Sequence, residues 1–410
     1  SGNNVARLHY VTSLSMMELE SVNGHFESQR FNAPTTSLTI NARTGTDDVE
    51  IASLSPDFDA SLTVNTLASG YDPFDNGGLL PGDNIYTHNS IIRVTGDIAL
   101  HGNALTLIGD TIYVGTVAQQ TGSQGTWTAD QTYTGVAGVG GSGSGATVTV
   151  DTDGNGTATA RLSGAGVGYH AGDVITFADP TNASRTVTMT IRNAANTNNL
   201  GTATATISTE LAGGNAGDIM FGEQTTNSDG TTAYAGGQFI LMGPNASLLA
   251  GADTAHNHKA GKITLATSEV AKRLVSWPID FTSKEAGITI DGSTIRGGAV
   301  KINAIAKDTN LASEVPAAAA GFSNSLASLF GTIPGVLLSA ATGIDLSVIL
   351  RSANARINIH DATIEAVGNV DIKSETKVET QVTAVASAIG GGGLAAKTGL
   401  ELAAGYGLAS

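Results

Sequence analysis

No cysteine occurs in the 410 residues, so a disulfide framework and any cysteine-based metal or redox site are both excluded. Stability must come from hydrogen bonding and packing. Charge is scarce as well: Asp, Glu, Lys and Arg make up 14%, against roughly 25% in a typical soluble domain. The polar surface therefore falls to Thr, Ser, Asn and Gly. Basic residues number 20 against 36 acidic ones, for a formal net charge of -16. Phosphate binding is driven by counterion release at Lys and Arg, so this balance opposes nucleic acid and anionic membrane surfaces. Aromatics are only 5%, which leaves a core of small and aliphatic side chains. Residues 1–30 lack the basic start, apolar stretch and small-residue cleavage site of a signal peptide, and the chain is expected to be a mature product or an interior fragment. The most apolar run, 329–350, is broken by Pro334, Gly335 and Gly343 and carries Asp345, which argues against a membrane span.

What is present is a recurring short phrase: a turn residue, often Gly, then two apolar residues one position apart. SLTI (37–40), DVEI (48–51), SLTV (61–64), IIRV (91–94), GDIMF (217–221), GKITL (261–265) and AVKI (299–302) are examples. Alternation at period two marks a strand with one buried face. Two stretches, 287–307 and 356–376, overlay: Ile288, Ile290 and Ile295 match Ile357, Ile359 and Ile364 at an offset of 69, and Val300 and Ile302 match Val370 and Ile372 at an offset of 70. A repeat too small to bury its own face implies stacking on its neighbours. All ten of these residues are expected to point inward. An antiparallel sandwich is the structural competitor, but Asn-Gly and Asp-Gly hairpin dipeptides are sparse between these strands.

The expected fold is therefore all-β: a right-handed parallel β-helix, or solenoid, with a small inserted antiparallel β module. Its parts are residues 1–119 as the N-terminal part of the solenoid, 120–215 as the Gly-rich module, and 216–410 as the C-terminal part. In the module, Val148 and Val150, then Thr157, Thr159 and Arg161, flank the turn 151–156 as an antiparallel hairpin. An Ala-rich excursion near 310–345 has helical spacing at Phe322, Leu326, Leu329 and Phe330.

At the repeated phrases the chain resembles the filamentous-haemagglutinin-like and related giant bacterial adhesins. The stretch 352–392, with Gly368-Asn369-Val370-Asp371-Ile372 followed by a Ser/Thr/Ala tail, carries most of the likeness. The resemblance covers about two thirds of the chain and implies a β-helical passenger region, a bacterial surface or extracellular setting, and adhesion. GVGYHAGDVITF (166–177) resembles the GYxxGD phrase of small β modules in extracellular and phage-tail proteins.

Catalytic and ligand-binding patterns are thin. Many β-helix proteins cleave polysaccharides, which takes carboxylates clustered on adjacent coils. Of a polygalacturonase-like signature only the pair Asp47-Asp48 is present. Asp151-x-Asp153-x-Asn155-Gly156 matches the first half of an EF-hand loop, but Leu162 replaces the bidentate Glu, which favours a hairpin turn. Gly213-Gly214-Asn215-Ala216-Gly217-Asp218 approximates a calcium repeat and reads better as a turn before a strand. Asp72, Asp75 and Asp83, around YDPFDNGG (71–78), are the candidate calcium ligands. His256 and His258 have metal-capable spacing without a third ligand in sequence. Trp127, Tyr133 and Tyr169 suit either sugar stacking or the module's core.

The function these features imply is a non-catalytic structural or adhesive segment of a large surface protein; a carbohydrate-binding or polysaccharide-cleaving β-helix is the alternative. Partners would be copies of the chain or further repeats meeting end to end, and surface glycans. Neither terminus supplies an obvious cap, and Val5 to Leu19 is an apolar stretch able to add as a strand to a neighbour.

Overall fold

The computed structural model describes residues 3–42, 46–67, 90–196, 201–226, 232–235, 237–251, 258–273, 279–310, 345–378 and 397–409. These residues are all-β. In chain order the strands are β1 (Val5–Val11), β2 (Met16–Ser21), β3 (Gln29–Phe31), β4 (Ser37–Asn41), β5 (Asp48–Ile51), β6 (Ser61–Asn65), β7 (Ile91–Val94), β8 (Ile98–Ala99), β9 (Leu105–Ile108) and β10 (Thr111–Val114). β11 (Val117–Gln124), β12 (Thr132–Val139), β13 (Ser144–Thr152), β14 (Ala158–Val167), β15 (Val174–Asp179) and β16 (Asn182–Asn193) follow. The remainder are β17 (Ala205–Ser208), β18 (Ile219–Phe221), β19 (Glu223–Thr226), β20 (Thr232–Ala235), β21 (Phe239–Met242), β22 (Ala246–Leu249), β23 (Lys262–Arg273), β24 (Ile279–Asp291), β25 (Thr294–Gly297), β26 (Ala299–Asn310), β27 (Asp345–His360), β28 (Thr363–Ala366), β29 (Val370–Val378) and β30 (Lys397–Ala409).

Three sheets take their strands from successive chain segments. The first is ordered β3-β2-β1-β5-β7-β10-β21-β24-β27-β30, the second β8-β17-β22-β25-β28, and the third β4-β6-β9-β18-β23-β26-β29. Within them every pair is parallel except β1–β2 and β2–β3. From β7 onward the chain visits the first, second and third sheets in that order and then returns to the first.

Register turns the period-two pattern into columns. In the third sheet Leu38, Leu62, Leu105, Ile219, Ile263, Val300 and Val370 stand side by side. In the first sheet Ala6, Val49, Ile92, Ile112, Ile240, Ile288 and Ile357 do the same, and all seven are buried. The offsets of 69 and 70 seen in the sequence are those of hydrogen-bonded neighbours in adjacent strands. Of the ten residues expected inside, the five from Ile288 to Ile302 and Ile357 are buried, and Ile359 and Ile364 are partly so. Val370 and Ile372 depart from the expectation at 46% and 40% exposure, because β29 has no strand on its outer side among the described residues.

Tight corners explain the small and left-handed residues. The step from the first sheet to the second takes only residues 292–293 after β24 and 361–362 after β27. Gly292 (φ +58) and Asp361 (φ +50) make that turn in the left-handed region. At the entry to the third sheet, a Cβ on Gly261 would lie 1.9 Å from the Gly217 carbonyl oxygen of the neighbouring segment. Only glycine lets the two backbones approach that closely.

β11 to β16 form a separate six-stranded sheet, ordered β11-β16-β15-β12-β13-β14 and antiparallel throughout, with its own core around Trp127, Val148, Val150, Phe177 and Met189. It spans Val117 to Asn193. β17, inside the 120–215 segment expected to be the module, pairs in parallel with β8 and β22 and belongs to the second sheet. Its alternation rests on Ala205 and Ile207 alone, too little apolar area to read as a strand. The N-terminal stretch also differs from expectation: Val5–Val11 and Met16–Ser21 pair with each other, so β1's outer edge is occupied by the chain itself. The Ala-rich excursion, with Phe322, Leu326, Leu329 and Phe330, lies outside the described residues. Among those residues no helix is long and apolar enough to cross a membrane.

Two outcomes follow from this architecture. Ile302→Ala should cost about 2–5 kcal/mol, whereas Ile372→Ala, at the paired position on the exposed edge, should cost far less. Equal losses in chemical denaturation would contradict the column assignment. Ala195 N donates to Thr116 Oγ1 at 3.0 Å, so the two ends of the antiparallel sheet meet. Deleting 117–194 and joining Thr116 to Ala195 should leave a cooperative β melt by circular dichroism. The longer cut from Gln119 to Gly217 removes β17 and should abolish it.

Candidate functional site

The two cores meet along a polar seam. Where the chain returns from β16, the buried Asn193 Nδ2 donates to the Gly115 carbonyl at 2.6 Å and the Val94 carbonyl at 3.3 Å. Val94 ends β7 and Gly115 directly follows β10, both strands of the first sheet. Alongside, Arg93 on β7 donates through Nε to both oxygens of Asp48, at 2.9 and 3.0 Å, and through Nη1 to the Arg192 carbonyl of β16. Its guanidinium also lies over the Tyr113 ring, 5.5 Å from the centroid.

Farther along, Arg161 on β14 pairs with Asp151 on β13 and approaches Asp361 with Nε at 3.7 Å. On the stack side, His360 Nδ1 and Asp291 Oδ1 are 3.0 Å apart, joining β24 and β27. Five ionisable groups from two sheets are thus gathered at one corner. Burial pushes the Asp291 carboxyl above its ordinary value against the opposing pull of His360 and Arg161. Burial also raises Asp151, but hydrogen bonds from Thr132 and Arg161 outweigh it and hold the group below its ordinary value. Carboxylates pushed in opposite directions are what acid–base chemistry on a glycoside requires. Here both are already engaged, Asp151 by Thr132 and Arg161 and Asp291 by His360, so the arrangement serves first to fasten the module to the stack.

The residues singled out in the sequence fare variously. Asp72, Asp75 and Asp83 lie outside the described residues, on the connection between β6 and β7. His256 does too, so its pairing with His258 has no structural description. Among the described residues no group of three His, Asp or Glu is placed to hold a metal. The EF-hand-like stretch is a hairpin turn: Asp153 Oδ1 accepts from the backbone N of Thr157 at 2.8 Å and Asn155 at 2.9 Å. Asp218 Oδ1 likewise accepts from Lys262 N of the neighbouring segment at 2.8 Å, which makes 213–218 a turn entering β18.

Asp47 is buried and takes Asn4 Nδ2 on Oδ1 at 2.8 Å, while Asp48 holds Arg93, so that pair is structural. Trp127 and Tyr169 are buried in the module core, and Trp127 meets Tyr133 edge-on at 5.3 Å. In the GYxxGD phrase, Asp173 Oδ2 accepts from the Ser142 hydroxyl, from His170 N at 2.9 Å and from Ser142 N at 3.1 Å. His170 Nδ1 is 2.7 Å from the same hydroxyl. Because the Ser142 proton is committed to the carboxylate, this trio clamps two turns instead of forming a nucleophile. The seam itself was missed by sequence reasoning, although the offset of 69 already set Asp291 beside His360.

No family model matches the chain, no curated protein matches it, and no solved structure matches it.

The shifted carboxylates divide between the two parts. Asp151, Asp153, Asp173 and Asp179, all in the antiparallel sheet or its turns, are lowered, while Asp48 and Asp291 in the stack are raised. Glu375 is the stack's lowered group, held by Lys307 and Lys373. A lowered carboxylate stabilises the fold above its ordinary pKa and loses that contribution as pH falls; a raised one does the reverse. Acidification below the ordinary Asp value of 3.8 should therefore melt the module before the stack. A Trp277→Phe variant leaves Trp127 as the single indole reporter. Its fluorescence transition should precede the circular dichroism transition in acid and approach it near neutrality, and coincidence at every pH would refute the assignment.

Proposed function

We propose that the chain is a non-catalytic structural and adhesive segment of a large extracellular or cell-surface bacterial protein. In this reading it is wound as a right-handed parallel β-helix and carries the antiparallel sheet on its flank as an inserted module. The observation that carries the reading is the unbroken column Leu38, Leu62, Leu105, Ile219, Ile263, Val300 and Val370, each residue on a different turn of chain and paired with the next. A single turn cannot bury its own face, so stability accumulates along an axis and yields a stiff spacer. Right-handedness follows from the strong bias of parallel crossovers, about 98% of which take that hand. The Thr-, Ser- and Asn-rich flanks suit contact with surface glycans. The β1–β2–β3 strands extend the first sheet at one end, and further repeats or other copies of the chain would meet the stack end to end.

A polysaccharide-cleaving reading draws its one support from the opposed shifts of Asp151 and Asp291. One experiment separates the two. Immobilised chain is challenged with a panel of surface polysaccharides, and retention and release of new reducing ends are both measured. Retention without cleavage, unchanged in Asp291→Asn, is expected. Cleavage that disappears in Asp291→Asn would replace the adhesive reading with the enzymatic one.

A further inference from the structure

We propose that Phe239, Glu285 and Arg356, on the outer face of the first sheet, form a binding site for a neutral hexopyranose ring of a surface polysaccharide. Such a site presupposes the adhesive reading, to which it adds a place and a ligand class. Alternation fixes which way the side chains point. Ile240 and Met242 of β21, Ala286, Ile288 and Ile290 of β24, and Ala355 and Ile357 of β27 are buried, so Phe239, Glu285, Gly287 and Arg356 face outward. Register sets Phe239 beside Gly287 and Gly287 beside Arg356.

The glycine shapes the platform. A Cβ on Gly287 would lie 3.1 Å from Phe239 Cδ1 and 3.3 Å from Cε1, so the half-buried ring leans across the next strand into space that a side chain would otherwise fill. Aromatic faces are negative and pyranose C–H groups slightly positive, which favours stacking of a sugar there. Glu285 stands two residues before Gly287, about 6.6–6.8 Å along the strand, and Arg356 one strand spacing away, about 4.7–4.9 Å. Both are exposed, and neither charged group has a partner among the described residues: Glu285 bonds only through its backbone N, to Glu269. A sugar hydroxyl can donate to the carboxylate and accept from the guanidinium. Covering a sheet glycine alone would call for the ring, but not for an unpaired anion and an unpaired cation around it. Those two charges cancel, and the chain as a whole carries -16, so polyanions are disfavoured and a neutral polymer fits best.

The immobilised full chain is challenged with soluble mannan, galactan and glucan, with alginate as the charged comparison. Retention of at least one neutral polymer, above that of alginate, is expected. Phe239→Leu, which keeps an apolar cover over Gly287, and Glu285→Gln should each weaken retention about tenfold or more with the thermal melt unchanged. Gly287→Ala removes no polar group but displaces the ring, and should weaken retention less. Should Phe239→Leu lower the melt, Glu285→Gln and Arg356→Gln, both at exposed positions, carry the test. Retention that survives every substitution would overturn the site and leave the adhesive reading standing with its contact elsewhere. Preference for alginate would overturn the ligand class. Failure to retain any of the polymers would overturn both the site and the glycan part of the adhesive reading. Self-association that is lost in Phe239→Leu would assign the platform to a second copy of the chain and overturn the proposal as well.

Discussion

Parallel register between consecutive turns of chain is the constraint on which the rest depends. A strand of four residues such as Ile91–Val94 cannot satisfy its backbone groups or cover Ile92 and Val94 by itself; it does so because β5 and β10 flank it in register. Every turn must therefore enter each sheet at the same point along the strand, and the corners inherit that demand. Gly261 has no room for a Cβ beside the Gly217 carbonyl, and Asp361 accepts a left-handed backbone where its neighbour Gly292 does so freely. Backbone strain at Asp361 is tolerated where paired strands fix the chain on either side.

The same constraint governs how a second domain-sized sheet is attached. Insertion between β10 and β17 leaves the stack intact only if the chain returns to the point where it left. Asn193 enforces this by donating to the Gly115 carbonyl just beyond β10 and to the Val94 carbonyl, which also accepts from Gly115 N. The charged pairs at the other end of the seam are weaker fastenings. Arg161 and Asp361 are partly solvent-exposed, and such pairs contribute only about 0–1 kcal/mol each. The seam is therefore held chiefly by a buried amide and trimmed by charge.

Legibility in the sequence followed the same physics. Offsets of 69 and 70 between two apolar phrases were readable because strand pairing copies the hydrophobic alternation from one turn to the next. The hairpin at 151–156 was readable because Asp153 makes its turn locally. β17 was not, since Ala and Thr carry too little apolar contrast, and neither was the β1–β2 hairpin, whose turn at Thr12 to Ser15 holds no glycine and relies on Ser15 at φ +53. Of the seam, only Asp291 beside His360 was implied by the offset of 69; Arg161 and Asp361 are 200 positions apart and carry no shared pattern.

Connection lengths carry one further step. From the first sheet to the second the chain needs two or three residues, except where the module enters. From the third sheet back to the first, Gly109 and Asp110 alone suffice between β9 and β10. Yet the same corner elsewhere spends residues 66–90, 222–238, 311–344 and 379–396, one of which contains the β19–β20 hairpin. Since two residues close the turn, the surplus is not there for closure. Loop closure costs little more as a loop lengthens, growing only with the logarithm of its length, so a stack held by register elsewhere can carry such additions with small loss. In sequence, the candidate ligands Asp72, Asp75 and Asp83 fall within the first of these connections, 66–90.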